Sequence, residues 1–288
     1  MKLRMMSFRL AIMALGASGA ASGVELDQRS LQIWDEYVKT ADSEVGRRIS
    51  EGRSFLRIDD FPKEQKLVQE GEVVTTAPAG HGMRNVPRGL IHDWVGSIFI
   101  PNATLDKVLA VVRDYANYKE FYSPMVASSE LVRCSAAEQD ISMVWLHHSF
   151  VRTFAIESEL RSRDHDIGNG RWYNVTFATR LQEIADFGQK GEHLLPPDQG
   201  SGLLWRVHSI TKYEQRDGGT YVELEGMALT RDIPLGIRWL VKPIVEELAR
   251  VSIAGFLRRT RDAVNGNTIP APPSNSCTRA VSNAVPKP

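Results

Sequence analysis

The feature that most limits what this chain can fold into is a run of six strand-like segments closed by one long amphipathic helix. The segments are 127–134, 139–148, 151–162, 171–184, 203–215 and 220–231, rich in β-branched and aromatic residues and separated by turn formers. A seventh, "LIHDWVGSIFI", precedes them and is followed by a helical stretch, "PNATLDKVLAVVRDYANYKEFY". There Asn102 or Thr104 is the expected N-cap, with Leu105, Val108, Leu109 and Val112 as the buried stripe. The last helix is expected from about Pro243 to Val264, with Pro243 in the first turn, where its missing N–H costs nothing. Consecutive strands with short turns make an antiparallel sheet, so the class is α+β. A sheet of about seven strands tends to curl. The terminal helix carries Ile237, Leu240, Val241, Ile244, Leu248 and Val251 on one face, and the concave side of the sheet is the large apolar surface that can cover them.

One hairpin separates the two faces. In "KYEQRDGGTYVEL", Asp217-Gly218 signals a two-residue turn. With Arg216 paired to Gly219, Lys212 faces Glu223 and Glu214 faces Tyr221. That side is expected to be solvated, where such cross-strand pairs contribute roughly 0.2–1 kcal/mol. The other side carries Trp205, Val207, Ser209, Thr211 and Tyr213 opposite Val222, Leu224, Gly226, Ala228 and Thr230. Ser209, Gly226 and Ala228 are too small to span the distance to a helix. The facing helix residues, Ala249, Ser252, Ala254 and Gly255, are small as well. Either the helix sits close or a cavity remains.

The strand–helix–six strands–helix order resembles the helix-grip fold. That fold is shared by START lipid-transfer domains, the birch-pollen-allergen family, and the polyketide cyclase and coenzyme Q-binding proteins (the SRPBCC superfamily). The residues that carry the resemblance are "GLIHDWVGSIFIPNATLDKVLAVVRDYANYKEFY", "LLWRVHSITKYEQRDGGTYVELE" and "LTRDIPLGIRWLVKPIVEEL". It is strongest to bacterial START-like proteins of unassigned function and covers residues 86–265. No motif in it is catalytic, so it speaks for fold more than for function. It implies a deep pocket between a curled sheet of about seven strands and the last helix, which holds sterols, phospholipids, quinones, polyketides or other apolar molecules. A buried chain of about ten CH₂ groups gains roughly 8 kcal/mol, before association costs of several kcal/mol.

The expected walls of that pocket are Trp145, Trp205, Ser209 and Tyr213 with Leu224, Ala228, Ile244 and Leu248. His147 continues the apolar face of Ile141, Met143 and Trp145, as a half-buried histidine or as a group that orients a headgroup or moves a proton. His147 and His148 are neighbours on a strand, so they point to opposite faces and do not share a metal. Arg180, in "FATRLQEI", and Arg231, in "TRDIP", are set at the wall or mouth. There each pairs with a ligand carboxylate or phosphate, or with a surface carboxylate. Tyr122 and Trp239 flank helix ends near the opening, where packing is the expected role. Asp164 and Asp166 in "RDHDIGNG" read as a hairpin turn, because the rest of a calcium loop is missing.

The leading expectation is binding, with or without transport, of a lipid or other apolar small molecule. A polyketide cyclase/dehydratase-like enzyme using His147 or Arg180 in the same pocket is the first alternative. A protein-interaction module with a filled interior, docking through residues 24–85 or 185–202, is the second. No HExxH, GxSxG or Gly-rich phosphate loop occurs, and no cofactor or metal is expected. With 35 basic and 35 acidic residues and no basic block, nucleic acid is not an expected partner. No run approaches the ~18 apolar residues of a membrane span.

Residues 1–23 have a basic start, a short apolar run from Leu10 to Leu15 and small residues after it, the form of a signal peptide. The expected location is periplasmic or secreted. Cleavage leaves 32 basic against 35 acidic residues, a net charge of −3. Residues 24–85 are an N-terminal extension and linker, with Leu31, Trp34, Val38 and Ala41 on one helical face. The extension caps the pocket, docks on the sheet's outer face or dimerises. Residues 266–288 have too little apolar content to pack and are expected to be disordered. Cys134 and Cys277 either bridge or stay as separate thiols.

Overall fold

A computed structural model describes residues 26–78, 82–135, 137–148, 153–232 and 238–266, without the side chains of 148, 238–246 and 248. The signal-peptide and tail expectations, and Cys277, lie outside the described residues. Cys134 is disulfide-bonded.

Ten strands form one antiparallel sheet. They are β1 (Val74–Thr76), β2 (Met83–Val86), β3 (Gly89–Pro101), β4 (Val126–Cys134), β5 (Glu138–His148), β6 (Thr153–Gly168), β7 (Arg171–Ala185), β8 (His193–Leu194), β9 (Arg206–Arg216) and β10 (Gly219–Arg231). The order is β1-β3-β10-β9-β7-β6-β5-β4, with β2 on β3 and β8 on β7. The seven strands expected from the sequence are the seven long ones. Of the three short edge pieces, β1 falls where "GEVVTT" reads as a short strand ahead of a linker, and β2 and β8, of four and two residues, are too brief to show a period. Among the described residues five α-helices accompany the sheet: α1 (Gln28–Ser50), α2 (Pro62–Gln69), α3 (Leu105–Val112), α4 (Tyr118–Phe121) and α5 (Arg238–Val264). This is the α+β helix-grip architecture.

The local reasons are in the residues. Thr104 caps α3, its hydroxyl accepting from the Lys107 N–H at 3.3 Å, while Asn102 takes a left-handed φ of 58°. Asp217 and Gly218, with φ of 55° and 76°, make the turn between β9 and β10. Arg216 pairs with Gly219, Lys212 with Glu223 and Glu214 with Tyr221, the register read from the hairpin. The "RDHDIGNG" turn falls later than its aspartates suggest, on Asn169 and Gly170, and Asp164 stays inside β6. α5 is already helical at Arg238, so Pro243 lies beyond its first turn.

The outer face is not the solvated surface expected. The extension docks there. Leu26 and Trp34 pack with Ile91, Trp205, Ile210, Met227 and Leu229, and Leu31, Val38 and Ala41 of α1 lie against that cluster. Phe55, Leu56, Ile58 and Val68 cover Phe99 and Tyr221. Lys212 and Glu223 are therefore a buried pair at 3.1 Å, their side chains 7% and 3% exposed. Glu223 also accepts from the backbone N–H groups of Arg57 and Ile58, at 3.0 and 2.9 Å. The strands farthest from the extension keep a wetter outer face, where Arg133, Glu138, Asp140, Arg161 and Arg163 form a lattice of partly exposed ion pairs.

Candidate functional site

The grip between the concave face and α5 has two unlike ends. At one end it is full. Gly96 of β3 lets α5 close in, since a Cβ there would lie 2.5 Å from Ile253 Cγ2 and 2.7 Å from Leu257 Cδ1. Gly226 of β10 lies under the same Ile253, at 3.2 Å. Tyr122 stacks on Phe256 with ring centroids 4.3 Å apart, and its hydroxyl lies 3.0 Å from Thr260 Oγ1. Tyr115, Tyr118 and Tyr213 fill the rest, all buried, and burial holds all four phenols well above the usual tyrosine range. The buried stripe of α5 here is Ala254, Leu257, Thr260 and Val264, and Val251, expected on it, is 50% exposed.

Moving along the sheet toward the start of α5, the inner side chains become smaller and more open. Val207, Ser209, Thr176, Ala178 and Ala228 are half-buried, as is Trp145. Between the two ends runs a floor of hydroxyls and amides. Ser162 Oγ accepts from Tyr115 at 3.0 Å, Asn174 at 3.1 Å and Thr176 at 3.0 Å. Trp145 Nε1 donates to Ser158 Oγ at 2.9 Å, and Ser209 Oγ reaches the Thr176 carbonyl. Asn174 Oδ1 is buried without a partner. The surface is thus apolar at its rim and sparsely polar along its base, the composition of a small-molecule site.

Ser209 and Ala228 lie on the open half, Tyr213, Leu224 and Tyr122 in the packed half, and Trp145, half-buried on β5, packs against that same cluster. His147 follows Trp145 on β5, opposite Phe154 of β6, the ring centroids 6.5 Å apart. The side chains of Ile244 and Leu248 lie outside the described residues. Two of the expected wall residues are elsewhere. Trp205 stands just before β9, where strand alternation no longer governs its direction, and it joins the outer core under α1. Arg180 lies beyond a bulge in β7 and pairs with Glu159 at 3.1 Å, both largely exposed. Arg231, at the end of β10, packs its side chain against Gly202.

His92 was not foreseen. It pairs in register with Ala228, so it shares the inner face, and its Nε2 lies 2.9 Å from Thr230 Oγ1. Its Nδ1 is buried with no partner, and burial lowers its pKa to about 4, leaving a neutral imidazole at pH 7. Carrying the hairpin alternation one strand further, onto "GLIHDW", is the signal that would have found it. Asp164 was also misplaced. It is a buried inner-face carboxylate 3.0 Å from Arg113 Nε.

Among the described residues no group of three or more His, Cys, Asp or Glu could hold a metal ion. No described helix is long and apolar enough to cross a membrane. No family model matches the sequence, and no curated protein matches it. Solved structures do. A STAR-related lipid transfer protein fragment from Xanthomonas axonopodis is 17% identical, over 64% of this chain and 99% of that one, with a TM-score of 0.43. A START superfamily protein from Mycobacterium smegmatis is 8% identical, over 62% and 99%, at 0.38. The Zhui aromatase/cyclase from a Streptomyces species is 12% identical, over 62% and 98%, at 0.37. By its own strand order and terminal helix, this chain has the START-like helix-grip fold that its sequence resembles.

Proposed function

We propose that the chain binds a lipid or other largely apolar small molecule in the open half of the grip. One observation carries this reading: the inner face passes from fully buried tyrosines to half-buried Val207, Ser209, Thr176 and Ala228, side chains too short to close the space. Val207 and the first half of α5, with Ile244 and Leu248, would supply apolar walls, and Trp145 and Leu224 would mark the border with the packed half. The hydroxyl floor would take a ligand's few polar atoms. Export belongs to the same reading. Residues 1–23 have the form of a signal peptide, and a disulfide-bonded Cys134 suits an oxidising compartment.

Native mass spectrometry of the purified mature protein, with organic extraction of what it releases, tests this. The expected result is one defined apolar molecule near unit occupancy, absent from a folded Ala228→Trp variant whose indole fills the open half. A ligand-free protein that stays empty after incubation with lipid extract would sink the reading and favour a filled interaction module.

A chemical step on the bound molecule is the second reading, and His92 favours it. A neutral imidazole with a free Nδ1 on the inner face is a candidate proton acceptor. Turnover of a bound polyketide-like substrate that is lost in His92→Gln while binding persists would establish it. Equal turnover in that variant would remove it.

A further inference from the structure

Beneath α1, the outer face of the sheet holds a second cavity, of about 430 Å³, that the grip does not account for. Its floor is Asp93 of β3 and Glu225 of β10. Asp93 pairs with Met227 and Val95 with Glu225, so the two carboxyls are diagonal neighbours on one face. Ile33, Tyr37 and Ala41 of α1 form an apolar and aromatic wall. Asp93 is 6% exposed. Tyr37 donates to its Oδ2 at 2.5 Å, and its Oδ1 is buried with no partner. Glu225 lines the same space and accepts no hydrogen bond among the described residues.

Four cationic side chains also face this space, and no described hydrogen bond joins any of them to the two floor carboxyls, although Arg57 and Lys212 lie near enough to lower the pKa of Glu225, and Arg57 that of Asp93. Lys212 is held by Glu223. Arg48 donates to Asp60 and to the carbonyls of Ser54 and Leu56. Glu44 takes Arg47 and Arg53. Arg57 donates to the Pro78 carbonyl, and Arg84 lies 5.8 Å over the Tyr37 ring. Glu36 stands on the exposed rim, and His208, two strands from Asp93, is bonded to Asp42. At the bottom of this half-apolar cleft, Asp93 Oδ1 and the Glu225 carboxyl accept no hydrogen bond among the described residues, and Arg57 Nε, also buried, donates none.

We propose that this cleft binds a small molecule through a protonated primary amine, whose N–H groups supply Asp93 and Glu225 with the donors they lack. An ammonium offers three donors and no acceptor, and its bonds to carboxylates are charge-assisted. The alkyl part would lie on Ile33, Tyr37 and Ala41. The pH dependence follows from the floor. Burial raises Asp93 to about 6, and burial and then repulsion by Asp93 raise Glu225 to about 7. Acid therefore neutralises the pair and weakens its hold on a cation.

The test is isothermal titration calorimetry of the full mature chain with n-butylammonium chloride. Wild type at pH 8 should show one saturable site, at least tenfold weaker at pH 5 and tenfold weaker in Glu225→Gln. Binding should be unchanged in Ala228→Trp, which blocks the grip on the opposite face. Absence of saturable binding at pH 8 overturns the proposal, as does equal binding by Glu225→Gln or loss in Ala228→Trp. If Glu225→Gln fails to fold by circular dichroism, equal wild-type affinity at pH 5 and pH 8 overturns it alone.

Discussion

Strand β10 is one chain with two histories of burial. Its residues Tyr221, Glu223, Glu225, Met227 and Leu229 face the N-terminal extension. Its residues Val222, Leu224, Gly226, Ala228 and Thr230 face the grip. The polar face is the more tightly covered of the two, and the face of small residues is the more open. Alternation sorts side chains between faces, but it does not say which face meets water. Here an acidic and a basic residue that read as solvent-facing are held under a helix and a loop, and an apolar-looking face is left partly unfilled.

The sharpest way to break that contrast is Glu223→Ala. It strands a buried Lys212 and two backbone N–H groups, and should cost about 3–5 kcal/mol in urea unfolding. A cost under 1 kcal/mol would mean the outer face is wet. On the inner side, Gly96→Ala should lose about 1–3 kcal/mol, because its methyl meets Ile253 and Leu257 well inside contact distance. Gly226→Ala, with its nearest atom at 3.2 Å, should lose clearly less. Equal losses would mean that α5 sits as tightly on β10 as on β3. The acid pair sharpens the contrast by pH. Asp93 and Glu225 stay protonated in the folded chain at pH values where the unfolded chain has already ionised. The folded state then holds more protons, so stability falls as pH rises from about 4 to about 7. Glu225→Gln should flatten that fall in a series of thermal melts. Smallest of all is Arg180→Ala, an exposed pair, which should change stability by less than ~1 kcal/mol and leave ligand occupancy as it was.

The sequence was most legible where a local rule acts alone. Asp217-Gly218 sets the register of β9 and β10 through turn chemistry, and Thr104 caps α3 through one side-chain bond. It was least legible where a distant segment decides. Nothing in "TYVEL" says that residues 57 and 58 will supply N–H groups to Glu223. Trp205 and Arg180 left the candidate wall because a strand end and a bulge interrupt the period that placed them. Ser209 and Ala228 were readable because they sit in unbroken stretches, and His92 only through a third strand whose register no turn specifies. Val251 fell outside the buried face of α5 for a like reason, since a helix with small residues on several sides has no single phase to read.

Composition marks a seam near residue 86, where glycine and proline cluster. Burial draws no line there. A chain trimmed to begin at that seam would keep every long strand, yet it would bare Ile210, Met227 and Leu229 and strip Glu223 of two of its donors. The extension is thus less an accessory joined by a linker than the other half of the sheet's housing. A fragment that keeps the outer cluster whole reaches back to Leu26.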